Sequence, residues 1–249
     1  VCDHVVTDLV VDNKYYIETY SKEYVDDKHK NWMNNPNFAL FEKINLFIKK
    51  KGKGRILDLG CGTGMLLKFL NKKNPKYDLT GIDIISNKKI KNIKFINKEF
   101  FKYIPSSKFS YIISIAVIEH VPKVKKYLDY LRKISSKNAY FIVLTINTNS
   151  ILYKTAELLY AFGFKTPFVR LFDPHHLNHF SNKSLNKFLD KNGYSLVEKI
   201  NTPISMKQID YPYNNILTKY ILFIGLSCML KIEKILDKSW LQTVIFKKK

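Results

Sequence analysis

Residues 56–64 read ILDLGCGTG. The apolar run from Arg55 to Leu59 ends directly in Gly60, Gly62 and Gly64, and Met65 to Leu70 continue as a helix. The pattern is a buried strand that turns on glycines into a helix. Glycines at such a turn let the backbone bend sharply and let a ligand press against the main chain. A dinucleotide fingerprint needs its third glycine at position 65, where this chain has Met65, and the lysine of a triphosphate cradle is missing.

Downstream, residues 79–84 (LTGIDI) form a second strand ending near Asp83, about twenty residues beyond the glycine turn. A carboxylate there can accept hydrogen bonds from both ribose hydroxyls of an adenosyl ligand. Residues 93–96, 109–117 and 139–146 read as further strands, and Val124, Tyr127, Leu128, Leu131 and Ile134 share one helical stripe. Two leading helices are expected over 15–24 and 38–50, and another over 183–191, opened by Ser181 and stopped by Gly193. Strands over 194–200 and 241–246 follow, the last returning quickly and lying antiparallel at or near the edge. Strands alternating with helices predict an α/β fold, a Rossmann-like and mostly parallel sheet with right-handed crossovers. We read one domain over 1–249. Residues 1–51 form a helical cap, 52–147 a cofactor-binding core, and 148–180 with 201–240 lid insertions over one end of the sheet.

The chain has 249 residues and a formal charge of +21, with 17 Phe and 16 Tyr, enough for a full core without staples. Arg55, Arg132 and Arg170 are its only arginines. Lysine is a hydrated point charge without the arginine fork, so the charge reads first as a solvated surface and second as polyanion binding. Cys2, Cys61 and Cys228 are too scattered for a disulfide framework, which points to a reducing, cytoplasmic compartment. The start lacks both a signal-peptide pattern and a Met, as a processed or trimmed chain would. The apolar run YILFIGLSCML, residues 220–230, is too short to span a bilayer. It reads as a lid or core helix, or as a helix lying on a membrane beside Lys219 and Lys231.

ILDLGCGTG, then GIDI, then FSYIISIAVIEHV resemble the class I S-adenosylmethionine-dependent methyltransferases in order and spacing over residues 54–147. The resemblance implies a seven-stranded sheet with a reversed last strand and a cofactor site at the strand ends. Asp58, Gly60, Cys61, Gly62 and Gly64 would surround the methionine part, Asp83 the ribose, and Ile84 the adenine. Glu99 is the candidate for the acid that meets the adenine amine. Ala116 and Val117 would contact the cofactor through their backbone. Phe109-Ser110 departs from the family's usual Phe-Asp.

PHHLNHFSNKSLNKFLDKNGY, residues 174–194, resembles the segment before the sixth strand in a large subgroup acting on quinone precursors, sugars and other metabolites. His176 takes that subgroup's histidine position. It reads as a structural residue, or as a substrate-orienting group or general base, its unperturbed pKa suiting proton removal from a hydroxyl. A metal set of His175, His176, His179 and Asp173 is weighed and set aside, since methyl transfer in most of this family needs none. Glu119 or His120, closing the fourth strand, could face the acceptor; alternatively His120 caps the next helix or packs beside Pro122.

The proline-rich signature of exocyclic-amine methylation and the Pro-Cys nucleophile of cytosine-C5 enzymes are absent, which disfavours extruded-base chemistry on DNA. The expectation is methyl transfer to a small acceptor, foremost to oxygen of a phenol, sugar or lipid-linked metabolite. The alternatives are an RNA methyltransferase or a non-catalytic interaction protein that retains the fold.

Overall fold

A computed structural model describes residues 4–7, 30–84, 89–172, 175–210 and 215–249. The helix expected over 15–24 lies outside the described residues, as do Cys2 and Asp173.

In chain order, β1 is Val5–Val6, α1 Lys30–Asn34, α2 Phe38–Lys51, β2 Arg55–Leu59 and α3 Met65–Lys73. β3 (Asp78–Asp83), β4 (Ile93–Asn97), β5 (Phe109–Ile115), α4 (Val124–Ile134) and β6 (Ser135–Ile146) follow. α5 (Ile151–Ala161) and α6 (Lys165–Leu171) pack together ahead of β7 (Asn178–His179). α7 (Asn182–Lys191), β8 (Tyr194–Thr202), α8 (Ile216–Ile235) and β9 (Leu241–Lys248) complete the order.

Seven strands form one sheet in the order β4-β3-β2-β5-β6-β9-β8, and only β9 runs against the rest. Alternate residues of the central strands supply two cores, as a sheet covered on both faces requires. Ile56, Ile113 and Ile142 meet α2 and α3 on one face. Leu57, Ile112 and Phe141 meet α4 and α7 on the other. The side chain of Asn37 caps α2 by accepting from the Leu40 N–H at 3.0 Å. A reciprocal box between Ser181 and Ser184 opens α7, and Gly193 follows its end at φ 76°.

Two of the boundaries that differ from the sequence reading have a visible cause. β5 stops at Ile115, because Ala116 turns into the left-handed region (φ 53°) and residues 118–120 form a short helical turn. Glu119 and His120 therefore stand on that turn and do not close the strand. β6 begins at Ser135, four residues earlier than Ala139, because Ser135 pairs with Phe109 before a bulge restores regular register at Tyr111 and Tyr140. The final strand is antiparallel and near the edge, as expected, one place in, between β6 and β8.

β9 starts at Leu241 opposite Ile146 and Thr202, the last residues of β6 and β8. The segments carrying α5, α6 and α8 thus meet the sheet at the carboxyl ends of its parallel strands. The glycine turn after β2 opens at that same end.

Candidate functional site at the strand ends

β2 delivers the first part of the site. Gly60, Gly62 and Gly64 all take positive φ, at 72°, 50° and 73°, a conformation that costs residues with a Cβ and not glycine. The Gly60 and Cys61 N–H groups both donate to the Ile82 carbonyl at the end of β3, at 2.9 and 3.2 Å. A Cβ on Gly60 would lie 2.5 Å from Cγ2 of Val117, so the glycine turn and the turn after β5 are in direct contact. Gly64 begins α3 without a side-chain cap, leaving first-turn N–H groups as a site suited to an anionic group.

Two carboxylates flank this turn. The Asp83 carboxylate accepts from the Gly62 N–H at 2.7 Å, which fixes the end of β3 against the turn. Asp58 is buried in β2, and burial, with the negative charge of Asp83 adding to it, pushes its carboxyl up to about 7. Burial and the same two acids also push the Cys61 thiol well above its ordinary range, so this cysteine is not a thiolate at neutral pH. Ile84 follows Asp83 and is 45% exposed. Glu99 lies two residues beyond β4 and ion-pairs with Lys102 at 2.9 Å. The cofactor-side residues named from the sequence therefore lie at the carboxyl ends of four neighbouring strands. A crevice there, where successive strands are laid down on opposite sides of β2, is where open α/β sheets take their ligands.

The second part is built where the turn after β5 meets the histidine loop. The Leu177 N–H donates to the Glu119 carbonyl at 2.7 Å, and the Asn178 side-chain amide donates to the Val121 carbonyl at 2.7 Å. These bonds join Glu119, His120 and His176, which the sequence presents as two separate constellations, into one cluster. One ligand-type atom from each of the three lies within 4.8 Å of the others. His120 Nδ1 is 3.0 Å from the His175 carbonyl oxygen, and its ring meets His176 edge-on at 4.9 Å. His120 does not cap the next helix, whose N-cap is Lys123.

Glu119 is buried, and its Oε2 accepts from the Thr145 hydroxyl at 3.0 Å. Burial outweighs that bond and pushes the carboxyl up to about 7. A carboxyl poised near neutrality beside two imidazoles can take and pass a proton. The same three side chains could hold a divalent cation, a set different from the one weighed in the sequence.

His179 is turned into the core: it is buried, packs on Phe172, and its Nε2 is 3.0 Å from the Thr7 hydroxyl. Thr7 also donates to the His176 carbonyl at 2.7 Å, and β1 pairs antiparallel with β7. Thr7, Thr145 and Asn178 are the supporting residues that sequence reasoning missed. Only Asn178 carried a local signal, lying inside the histidine-rich stretch.

Residues 32–199 match the family described as "Methyltransferase domain". The chain is 24% identical over 164 residues to a mitochondrial ubiquinone biosynthesis O-methyltransferase of Dictyostelium discoideum, covering 57% of this chain and 50% of that protein. It is 31% identical over 101 residues to malonyl-[acyl-carrier protein] O-methyltransferase 2 of Ilyobacter polytropus, covering 36% and 39%. The chain thus spans half or less of the length of these curated relatives. In fold it is similar to the plantazolicin methyltransferase BpumL in complex with a triazolic desmethylPZN analog and SAH. That likeness has a TM-score of 0.59 at 18% identity, over 94% of this chain and 93% of that one.

Proposed function

From the premise that the chain belongs to the methyltransferase-domain family, we propose that it transfers the methyl group of S-adenosylmethionine to an oxygen of a small acceptor. The acceptor class is a phenol, a sugar or a lipid-linked metabolite. One observation carries the reading: Glu119, His120 and His176 converge within 4.8 Å, one turn beyond Val117, which packs on the glycine turn. Both curated relatives are named as O-methyltransferases, which supports oxygen as the acceptor atom.

The cofactor supplies a methyl group already activated on a sulfonium, so no protein nucleophile is required. The protein's part is to hold the acceptor in line, exclude water and receive the acceptor's proton. In this reading Gly60, Cys61, Gly62, Gly64 and Asp58 would surround the methionine part of the cofactor. Asp83 would hold the ribose hydroxyls. Ile84 would lie beside the adenine with Glu99 meeting its amine, and the backbone of Ala116 and Val117 would contact the cofactor. Glu119 or His176 takes the proton of the acceptor hydroxyl, and His120 orients His176. A lipid-linked acceptor would be met at a surface, which fits the membrane-surface alternative for residues 220–230.

Calorimetric titration with S-adenosylmethionine, and separately with S-adenosylhomocysteine, tests the cofactor. One-to-one binding weakened at least about tenfold by Asp83→Ala is expected, the equivalent of about 1.4 kcal/mol. Absence of binding in folded protein would overturn the enzymatic reading and leave an interaction protein. Incubation with labelled cofactor and panels of phenols, sugars, lipid-linked acceptors and RNA then reads the acceptor. Label appearing only in RNA would overturn the small-molecule assignment.

A further inference from the structure

Among the described residues, α8 is covered on one side only. Leu230 and Glu233 are its buried residues. Glu233 anchors it by accepting from the Leu152 N–H at 2.8 Å and the Trp240 N–H at 3.0 Å. Its opposite side carries Leu217, Ile221, Ile224, Cys228, Ile232 and Ile235 at spacings of three and four, a continuous helical stripe. All six are exposed, the aliphatic ones by 46 to 80%. Twenty residues of helix make this stripe about 30 Å long. α5 packs against α8, and the turn from α5 to α6 adds Phe162 and Phe164, 73 and 64% exposed. Such a face exceeds the scattered apolar residues of an ordinary surface and marks an interaction site.

The charges around it select the partner. α5, α6 and α8 carry six cations: Lys154, Lys165, Arg170, Lys219, Lys231 and Lys234. Their acids are Glu233, which is buried, and Glu157, which is ion-paired to Lys154 at 2.7 Å. Lysine stems can lie along an apolar layer while their ammonium groups reach anionic headgroups. A two-fold contact with a second copy would instead set these cations against themselves, on a chain of net charge +21. No helix among the described residues is long and apolar enough to cross a membrane, so contact lies along the surface.

We propose that α8 and the α5–α6 turn dock flat on an anionic lipid surface, with the stripe from Leu217 to Ile235 in the acyl boundary. Docking here sets the carboxyl end of the sheet toward the lipid, since α8 leads through residue 240 into the first residue of β9. The proposal stands on this surface and does not depend on the identity of the acceptor.

Flotation with vesicles of phosphatidylcholine alone, and with about 30 mol% phosphatidylglycerol, tests it at roughly 0.15 M salt, where charges are screened beyond about 8 Å. Binding to the anionic vesicles at least about tenfold stronger than to the neutral ones is expected. The double variant Ile221→Glu/Ile224→Glu should lose on the order of tenfold or more of that binding, because it removes apolar burial from exposed positions. S-adenosylhomocysteine titration and circular dichroism of the variant, unchanged from the parent, establish that its fold is intact. Absence of vesicle binding overturns the proposal. So does binding indifferent to the double variant, which is adsorption by bulk charge. A parent protein that sediments as a dimer, with a monomeric variant, assigns the face to a second copy and overturns it equally.

Discussion

Asp58 and Glu119 are two carboxyls held near 7 by burial at the two ends of the site, and each has a measurable consequence. If S-adenosylmethionine, which carries positive charge, binds beside Asp58 as proposed, it favours the ionised form. Its affinity should rise with pH up to about 7 and level off above, and Asp58→Asn should flatten that profile in calorimetry. Both carboxyls also bear on folding. Their folded pKa values lie above the ordinary carboxylate range, so the folded chain binds the extra protons between that range and about 7. The contribution of these two groups to stability is greatest below that window and falls as pH rises through it. Glu119→Gln keeps an acceptor for Thr145 and should make urea midpoints less pH-dependent. If Glu119 receives the acceptor's proton, the same substitution lowers kcat about a hundredfold or more with little change in KM. The glycine turn and Asp83 were legible in the sequence because strand, turn and carboxylate follow one another along the chain, whereas Asp58 came with the family resemblance. The Thr145 bond to Glu119 was not, because it crosses from one strand's end to a turn 26 residues away.

Among the elements, α7 illustrates how a helix boundary serves the site. Its N-cap, Ser181, is buried and follows Phe180, which ends the histidine loop. Ser181→Ala should cost about 1 kcal/mol in urea unfolding, and weaken acceptor turnover more than cofactor binding. Ser181 and Gly193 announced this helix from the sequence. The end of β5 was hidden, since the apolar run through Ala116 and Val117 continues with no glycine or proline to mark the stop. What ends the strand is the positive φ of Ala116, a conformation that alanine adopts only where its surroundings impose it.

Across the whole molecule, the glycine turn, β3 and the turn after β5 all meet at the strand ends, so a ligand there ties elements far apart in sequence. At a hundred times its Kd, cofactor should add about 2.7 kcal/mol of stability, or roughly 5–10 °C in Tm for a chain of this size. A thermal scan with S-adenosylhomocysteine reads this directly. The alternation of strands and helices made the sheet legible, and the quick return of residues 241–246 made its reversed strand so, in agreement with the resemblance to a known family. The lateral order at the far side needed the structure. β9 is buried from Leu241 to Phe246, as an interior strand must be, whereas β8 exposes Glu198 and bears Lys199 at its rim. Charged rims of this kind discourage edge-to-edge association.

The two halves of the site are held with unequal firmness. The glycine turn is bonded into the middle of a seven-stranded sheet, while the histidine loop is held by the two residues of β1, the Thr7 bonds, the turn it leans on and the bonds that the Phe180 carbonyl accepts from the Thr148 N–H and the Gln242 side chain. Local opening draws first on the less extensive pairing. If the cofactor and acceptor sit as proposed, acceptor and product exchange on the histidine side while the glycine turn stays intact, which favours an ordered sequence in which the cofactor enters first and leaves last.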